Sequence, residues 1–284
     1  VKQRRVVSFA GTAVAVEAEG RDALRIGEFL WRDFPVVASA KPVVTFHVAP
    51  GGASGTLQLA QGSLILNSQD TPGNIAAHLV CEVARQIAER SDEGLLFHAA
   101  AVSFGTSGVL LPGASGAGKT TVSAHLVSQG FQYLTDELSL VPAGEMAVEG
   151  FGRPLSLKPG AWPTLERQLR TGLPSPHALE TADGFLVRPA HLTDEPPAGR
   201  AFLRLIVFPR RQADAAPGFR RLSKAEAALA LLAHLVNARN LPNDGLGRVL
   251  EMARSVPAFD AVYDDAATIV PMIQAVLAVP VPAV

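Results

Sequence analysis

The chain has 284 residues, 48% hydrophobic and 18% charged, with a net charge of −1. That balance excludes a disordered chain, and the lack of any basic run beyond Lys2-Gln3-Arg4-Arg5 argues against a dedicated nucleic-acid binder. A single cysteine, Cys81, excludes an internal disulfide framework and a cysteine-based zinc site, and no apolar segment is long enough to span a membrane.

The amino-terminal part is rich in Val, Leu and Thr. Strands are predicted over residues 6–16, 42–49 and 57–66, separated by turn clusters such as 50–55, with a helix over 21–34. Lys2 to Arg5 ahead of an apolar run mimics a short secretory signal. Ser8, Gly11 and Thr12 interrupt that run, however, and Val14, Val16 and Ala18 alternate as in a strand. Thr71-Pro72-Gly73 opens a helix to about Arg90, with Ile75, Leu79, Val83 and Ile87 spaced by four on one face. Cys81 falls inside this apolar pattern and is expected to be core filler. Ser91-Asp92-Glu93-Gly94 marks a boundary between a β-rich domain, 1–92, and a larger domain, 93–284, and there is no internal repeat.

The second domain begins with a predicted hairpin, 95–104 and 109–111, joined by Gly105-Thr106-Ser107-Gly108. It feeds Gly113-Ala114-Ser115-Gly116-Ala117-Gly118-Lys119-Thr120, which fits the pattern G-x-x-x-x-G-K-[ST] at every position. A helix over 119–129 leaves the loop and stops at Gly130; a strand over 131–134 then ends in Thr135-Asp136-Glu137, and 138–141 continues the sheet. Residues 142–199 are rich in Pro, Gly and polar side chains and hold Arg153, Lys158, Arg167, Arg170, His177, Arg188 and His191; they read as long loops, of a kind that is often functional although surface irregularity is the commoner explanation. A strand over 203–208 comes next. Ser223-Lys224-Ala225-Glu226 is a capping box opening a helix to about Arg239, and further helices are predicted over 245–254 and 266–279, the last perturbed at Pro271.

Strand, glycine loop and helix are the context a phosphate-binding loop requires. Glycines let the backbone approach an anion closely, and the N–H groups converge on it at the positive end of the following helix. Gly113, Ala114, Ser115, Gly116, Ala117, Gly118, Lys119, Thr120 and Thr121 are therefore the candidate nucleotide-binding residues. Lys119 reaches the outer phosphates and the Thr120 hydroxyl suits Mg²⁺. Lysine is scarce: only Lys2, Lys41, Lys119, Lys158 and Lys224 stand against a background of arginine. Asp136-Glu137 comes after the loop helix where a carboxylate can accept a hydroxyl proton and orient the oxygen for in-line attack, and Asp136 is the expected base.

The block from Phe97-His98-Ala99-Ala100 through the glycine loop to Gly130-Phe131-Gln132-Tyr133-Leu134-Thr135-Asp136-Glu137 resembles the catalytic domain of HPr kinase/phosphorylase. That family shows a His-Gly strand, a hairpin, a glycine loop, a helix and a strand ending in Asp-Asp. The resemblance is good over 95–142 and looser from 203 onward. It implies an α/β (α+β) fold: a P-loop kinase core of the HPr kinase/phosphoenolpyruvate carboxykinase type with a mixed sheet, plus the smaller β-rich amino-terminal domain.

The implied activity is ATP- and Mg²⁺-dependent phosphorylation of a serine on a peptide or small protein, in the cytoplasm, without nucleic acid or membrane. Assembly as a homo-oligomer is a property of the family that the resemblance carries with it. Asp136, Glu137 and His98 match the family's catalytic positions. Arg210 or Arg211 matches the segment with a catalytic arginine, and Thr120, Asp136 and, more loosely, Glu149 match metal ligands. The departures are Glu137 for the second Asp, Ala99 for the Gly after His, no Glu-x-Arg-Gly stretch, and an unrelated amino-terminal part. They point to the divergent relatives found beside peptide-modification genes, including lasso-peptide clusters, and no reverse phosphorylase activity is assumed. A small-molecule kinase and a nucleotide-sensing module without phosphoryl transfer stay open as alternatives.

Overall fold

Two left-handed residues, Ala10 (φ 49°) and Gly11 (φ 75°), fold the first apolar run back on itself. Residues 6–16 are therefore parts of two strands, β1 (Lys2–Phe9) and β2 (Thr12–Glu19), with Phe9 opposite Thr12. Consecutive positive φ values are what a two-residue hairpin turn needs. Helix α1 (Arg21–Trp31) carries the chain to β3 (Val44–Pro50), parallel to β2. The predicted 57–66 strand is likewise two, β4 (Leu57–Gln61) and β5 (Leu64–Asp70), turning at Gly62 (φ 58°). These strands form one sheet in the order β1-β2-β3-β4-β5. The computed structural model describes residues 1–34, 41–161 and 177–278; Arg167, Arg170 and Val279 lie outside them.

Helix α2 (Pro72–Arg90) starts where the Thr71 hydroxyl accepts the Asn74 N–H and Pro72 occupies the first turn. Ile75, Leu79, Val83 and Ile87 are all buried, in one cluster with Val14, Val16, Phe46 and Leu59. Cys81 is exposed instead of filling the core, because position 81 falls between the turns of that stripe. The cluster continues past residue 92 into Leu96, Leu138, Leu140, Phe151 and Leu186. At Gly73 a Cβ would lie 1.7 Å from the Glu180 carbonyl oxygen, so only glycine lets the start of α2 press on the chain there. The amino-terminal sheet and its helices thus share one core with later parts of the chain.

The larger sheet contains β6 (Gly94–Phe104), β7 (Ser107–Pro112), β8 (Gln132–Thr135), β9 (Leu138–Pro142) and β10 (Ala147–Gly150). A small sheet comes next, β11 (Leu155–Leu157), β12 (Ala178–Thr181) and β13 (Gly184–Val187), in the order β11-β13-β12. The chain then returns to the larger sheet with β14 (Arg200–Arg211), β15 (Gly218–Arg221) and β16 (Ala258–Tyr263). Its order is β10-β9-β6-β7-β14-β16-β15, with β8 also on β6. β7, β14 and β16 are parallel, whereas β6 is antiparallel to β7. β10 bonds to both β9 and β14, so that end of the sheet closes on itself.

Helices α3 (Lys119–Ser128) and α6 (Val270–Ala278) share a core with Val109, Leu111, Leu205 and Val207. The next residues along those strands, Leu110 and Ile206, lie in the core with α4 (Lys224–Leu232) and α5 (Leu246–Ser255) on the other side. The fold is mixed α/β with mixed sheets. No helix among the described residues is long and apolar enough to cross a membrane.

Several local expectations change. The stretch expected as long loops holds β10 to β13. The capping box at Ser223 opens α4, but the helix ends at Leu232 and not near Arg239. The chain beyond it is captured by β6: Val236 N–H donates to Leu96 O, and buried Asn237 bonds to Ser91, Gly94 and Leu96. The predicted 266–279 helix is interrupted just before Pro271: Ala266–Thr268 is a 3₁₀ turn, and α6 starts at Val270 with Pro271 in its first turn, where a missing N–H is harmless.

Candidate active site

Strand β7 runs directly into the glycine loop, and α3 begins at Lys119. Gly116 and Gly118 take φ values of 86° and 95°, which side chains rarely adopt. Gly118 has a second reason to be glycine, since a Cβ there would lie 2.1 Å from the Tyr263 hydroxyl. Tyr263, at the end of β16, donates to Ala117 O at 3.1 Å and fixes the loop from outside. Burial pushes its phenol pKa up, so it stays a donor. Lys119 folds over the start of the loop, its Nζ donating to Gly113 O at 2.7 Å and Ala114 O at 3.2 Å. Burial lowers its pKa, against the pull of Glu137 and Asp136.

The acidic pair faces this loop because of an interruption in pairing. β8 and β9 both bond to β6, with Thr135 opposite Ala101 and Leu138 opposite His98. Asp136 and Glu137 are the break between them. Asp136 is buried and accepts three hydrogen bonds: Oδ1 from the Tyr133 hydroxyl at 3.1 Å, and Oδ2 from the Thr120 hydroxyl at 3.1 Å and Ser156 N–H at 2.8 Å. Burial, then the Asp136 charge, holds the Tyr133 pKa well above its usual value, so this phenol also stays a donor.

Glu137 is more open, its side chain 34% exposed, with one oxygen 3.0 Å from Arg153 Nη1 and the other 3.6 Å from His98 Nε2. Arg153 is itself buried, and its Nε lies 3.6 Å from Asp136 Oδ1. Burial would lower the Arg153 pKa; the two carboxylates outweigh it and leave it raised. His98 is pushed down, by burial first and the Lys119 charge second, so at neutral pH it is uncharged.

A cavity of about 260 Å³ joins these groups. From the expected set it is lined by His98, Ser115, Gly116, Gly118, Lys119, Thr120, Thr121, Asp136, Glu137 and Arg211. Gly113, Ala114 and Ala117 are absent from the lining, and two of their carbonyls accept from Lys119 and one from Tyr263.

The two arginines at the end of β14 part company. Arg211 borders the cavity beside Asp264, 3.6 Å away, while Arg210 is absent from it and pairs with Asp260 at 2.8 Å. Adjacent strand residues face opposite ways, which is why one arginine and not both reaches the site. Glu149 is also outside it: it pairs with Arg200 at 3.2 Å and lines a different recess with Leu134 and Phe151. The expected metal-ligand role is not supported by that position. His125 is buried on α3 and absent from the lining.

Sequence reasoning does not assign Tyr133, Arg153, Ser156, Lys158, Tyr263 or Asp264 to the site. Rarity is a usable signal for some of them. The chain has 2 tyrosines, and both hydrogen-bond here.

The donor set fits Mg²⁺. Thr120, Asp136 and Glu137 offer hard oxygen ligands facing one cavity, and Mg²⁺ usually takes only one or two carboxylates and completes its shell with water and phosphate. Among the described residues no group of three or more His, Cys, Asp or Glu is arranged to hold a metal unaided.

No family model matches the chain, and no curated protein matches it. Among solved structures the chain is similar to the HPr(Ser) kinase/phosphatase from Coxiella burnetii, at 12% sequence identity and a TM-score of 0.33, over 64% of this chain and 87% of that one. A superposition that loose carries no conclusion about chemistry.

Proposed function

We propose that the chain is an ATP-dependent kinase that transfers the terminal phosphoryl group to an alcohol, with a serine of a peptide or small protein as the acceptor. The observation that carries this reading is the 3.1 Å hydrogen bond from the Thr120 hydroxyl to Asp136, which brings the end of the glycine loop and the acidic pair together at one cavity. A loop alone would serve a nucleotide sensor equally well. An acid pair beside it supports transfer. The serine acceptor rests on the sequence resemblance.

Roles derive from the surroundings of each group. The amides of 113–119, Lys119 and the start of α3 suit the phosphates. Asp136, whose two oxygens already accept three hydrogen bonds, is suited to the metal side with Thr120. Mg²⁺, when bound, supplies charge neutralisation and alignment of the phosphates. Glu137 has more open space, which favours it over Asp136 as the group that takes the acceptor proton. In the transfer, the acceptor oxygen forms a bond to the terminal phosphorus, the bond to the bridging oxygen breaks, the diphosphate leaves with that electron pair, and the hydroxyl proton passes to Glu137. Arg153 holds Glu137 in place by its 3.0 Å hydrogen bond, with His98 beside it.

The test offers labelled ATP with serine peptides, sugars and hydroxy acids. Glu137→Gln is expected to lower transfer by about 10²- to 10⁴-fold while ATP still binds. Binding with no turnover on any acceptor would reject the kinase reading in favour of a sensor. Transfer only to sugars or hydroxy acids would replace the peptide acceptor.

A further inference from the structure

We propose that Lys158 is a second phosphate-binding cation of this site, one that engages the terminal phosphoryl group of the nucleotide; the proposal rests on the kinase reading above. Lys158 Nζ donates to the Ser115 hydroxyl at 3.0 Å. Ser115 belongs to the glycine loop, so this ammonium borders the space the loop encloses, and both residues line the cavity.

Local structure directs Lys158 there. In β11, Leu155 and Leu157 are buried in the core shared with α3. Ser156 and Lys158 alternate with them and both face the cavity. Strand β11 and the residue that follows it therefore make two contacts with the site. Ser156 N–H binds Asp136 Oδ2 at 2.8 Å, and two residues on, Lys158 binds the loop. Lys158 thus sits between the glycine loop, at Ser115, and the strand that binds Asp136.

Charge makes the same point. A nucleoside triphosphate brings about four negative charges, and about two of them sit on the group being transferred. The Lys119 ammonium stands at the start of the loop, beside the Gly113 and Ala114 carbonyls, and the Lys158 ammonium stands at Ser115. Both ammonium groups line the same cavity, so one polyphosphate can meet both. Their repulsion is tolerable because Lys158 is largely exposed to water. During transfer Lys158 offsets charge on the moving group.

The alternative is that Lys158 only steadies Ser115. Calorimetric titration of the purified chain with Mg·ATP and Mg·ADP separates the two, because ADP lacks the terminal group. Lys158→Ala is expected to weaken ATP binding about 10-fold and ADP binding less than about 2-fold, with Lys158→Arg restoring most of the difference. Lys119→Ala should weaken both nucleotides. If Lys158→Ala leaves the ATP-to-ADP preference unchanged, whether affinities stay equal to wild type or fall together, Lys158 is no terminal-phosphate ligand and the proposal is overturned while the kinase reading stands. If the wild-type chain binds neither nucleotide, both fall.

Discussion

The wall that carries Gly113 to Thr120 is one unbroken stretch of chain, whereas the wall facing it draws on distant segments. Asp136 and Glu137 come from the break between β8 and β9, Arg153, Ser156 and Lys158 from around β11, Arg211 from the end of β14, and Tyr263 from the end of β16. The first wall is held by backbone conformation: left-handed glycines and the start of a helix. The second is held by side chains, above all a buried guanidinium between two carboxylates. A site built this way should answer differently to substitution on its two sides. Side chains of the loop can be changed at the expense of ligand binding alone, whereas those of the acid wall support the fold as well.

The widest gap between the walls is expected at Arg153 and Lys119. Removing one partner of a buried ion pair leaves the other charge uncompensated, so Arg153→Met should destabilise the chain by about 3 kcal/mol, a value at the lower end because Asp136 keeps its three neutral donors. Lys119→Met removes two hydrogen bonds to loop carbonyls but also a desolvated charge, and should change stability by less than about 1 kcal/mol while weakening ATP binding. Urea unfolding of both variants reads the difference. Equal losses would erase the distinction between the walls.

Gly118 and Tyr263 are where the walls touch, and the next largest effect is expected there. Gly118→Ala puts a side chain at φ 95° and into the Tyr263 hydroxyl, with an expected destabilisation of about 1–3 kcal/mol. Tyr263→Phe loses one hydrogen bond to Ala117 O and should lower stability by about 1 kcal/mol. The double variant tests the collision itself. With the hydroxyl gone, the nearest ring carbon is 3.2 Å from the alanine Cβ and the worst of the collision is removed, so the two losses should sum to more than the double variant shows. Strict additivity would mean that Tyr263 gives way freely.

The difference between the walls also governs what can be read from the residues alone. The loop, its flanking strand and helix, and the acidic pair lie within 48 consecutive positions, 95–142, where pattern and spacing carry the information. The α2 stripe is legible for the same reason: Ile75, Leu79, Val83 and Ile87 announce a buried face by period alone. Arg153 stands out only as one basic residue in a Pro- and Gly-rich stretch, because its partners are set by tertiary contact and not by period. β16 escapes notice because Asp260 interrupts a run of six residues, yet it ends in the tyrosine that braces the loop. The hairpin turns at Ala10-Gly11 and Gly62 are hidden because each is only two residues long and lies between strand-like segments that read as one continuous strand. Arg210 and Arg211 are inseparable until the strand register assigns one to the cavity.

The smallest effect is expected from pH, and it falls on the junction of both walls at His98. Burial and the Lys119 charge depress the His98 pKa, and the same two causes act on His234, whose carbonyl accepts the His98 N–H at 2.9 Å. A histidine with a depressed folded pKa favours the native state while it is neutral. Its contribution is present above the unfolded pKa, near 6.5, and is lost as pH falls below that value toward the folded pKa. Stability should therefore decline as pH is lowered from about 7 to about 5, and His98→Gln should flatten part of that slope and leave the His234 part. Glu137 and Asp136 oppose the shift at His98, so Glu137→Gln should steepen the decline by depressing the His98 pKa further. Thermal unfolding midpoints at about pH 5, 6 and 7 for the wild type and both variants measure this. A His98→Gln slope identical to wild type would place the titration elsewhere and leave His98 without an electrostatic link to the Lys119 wall.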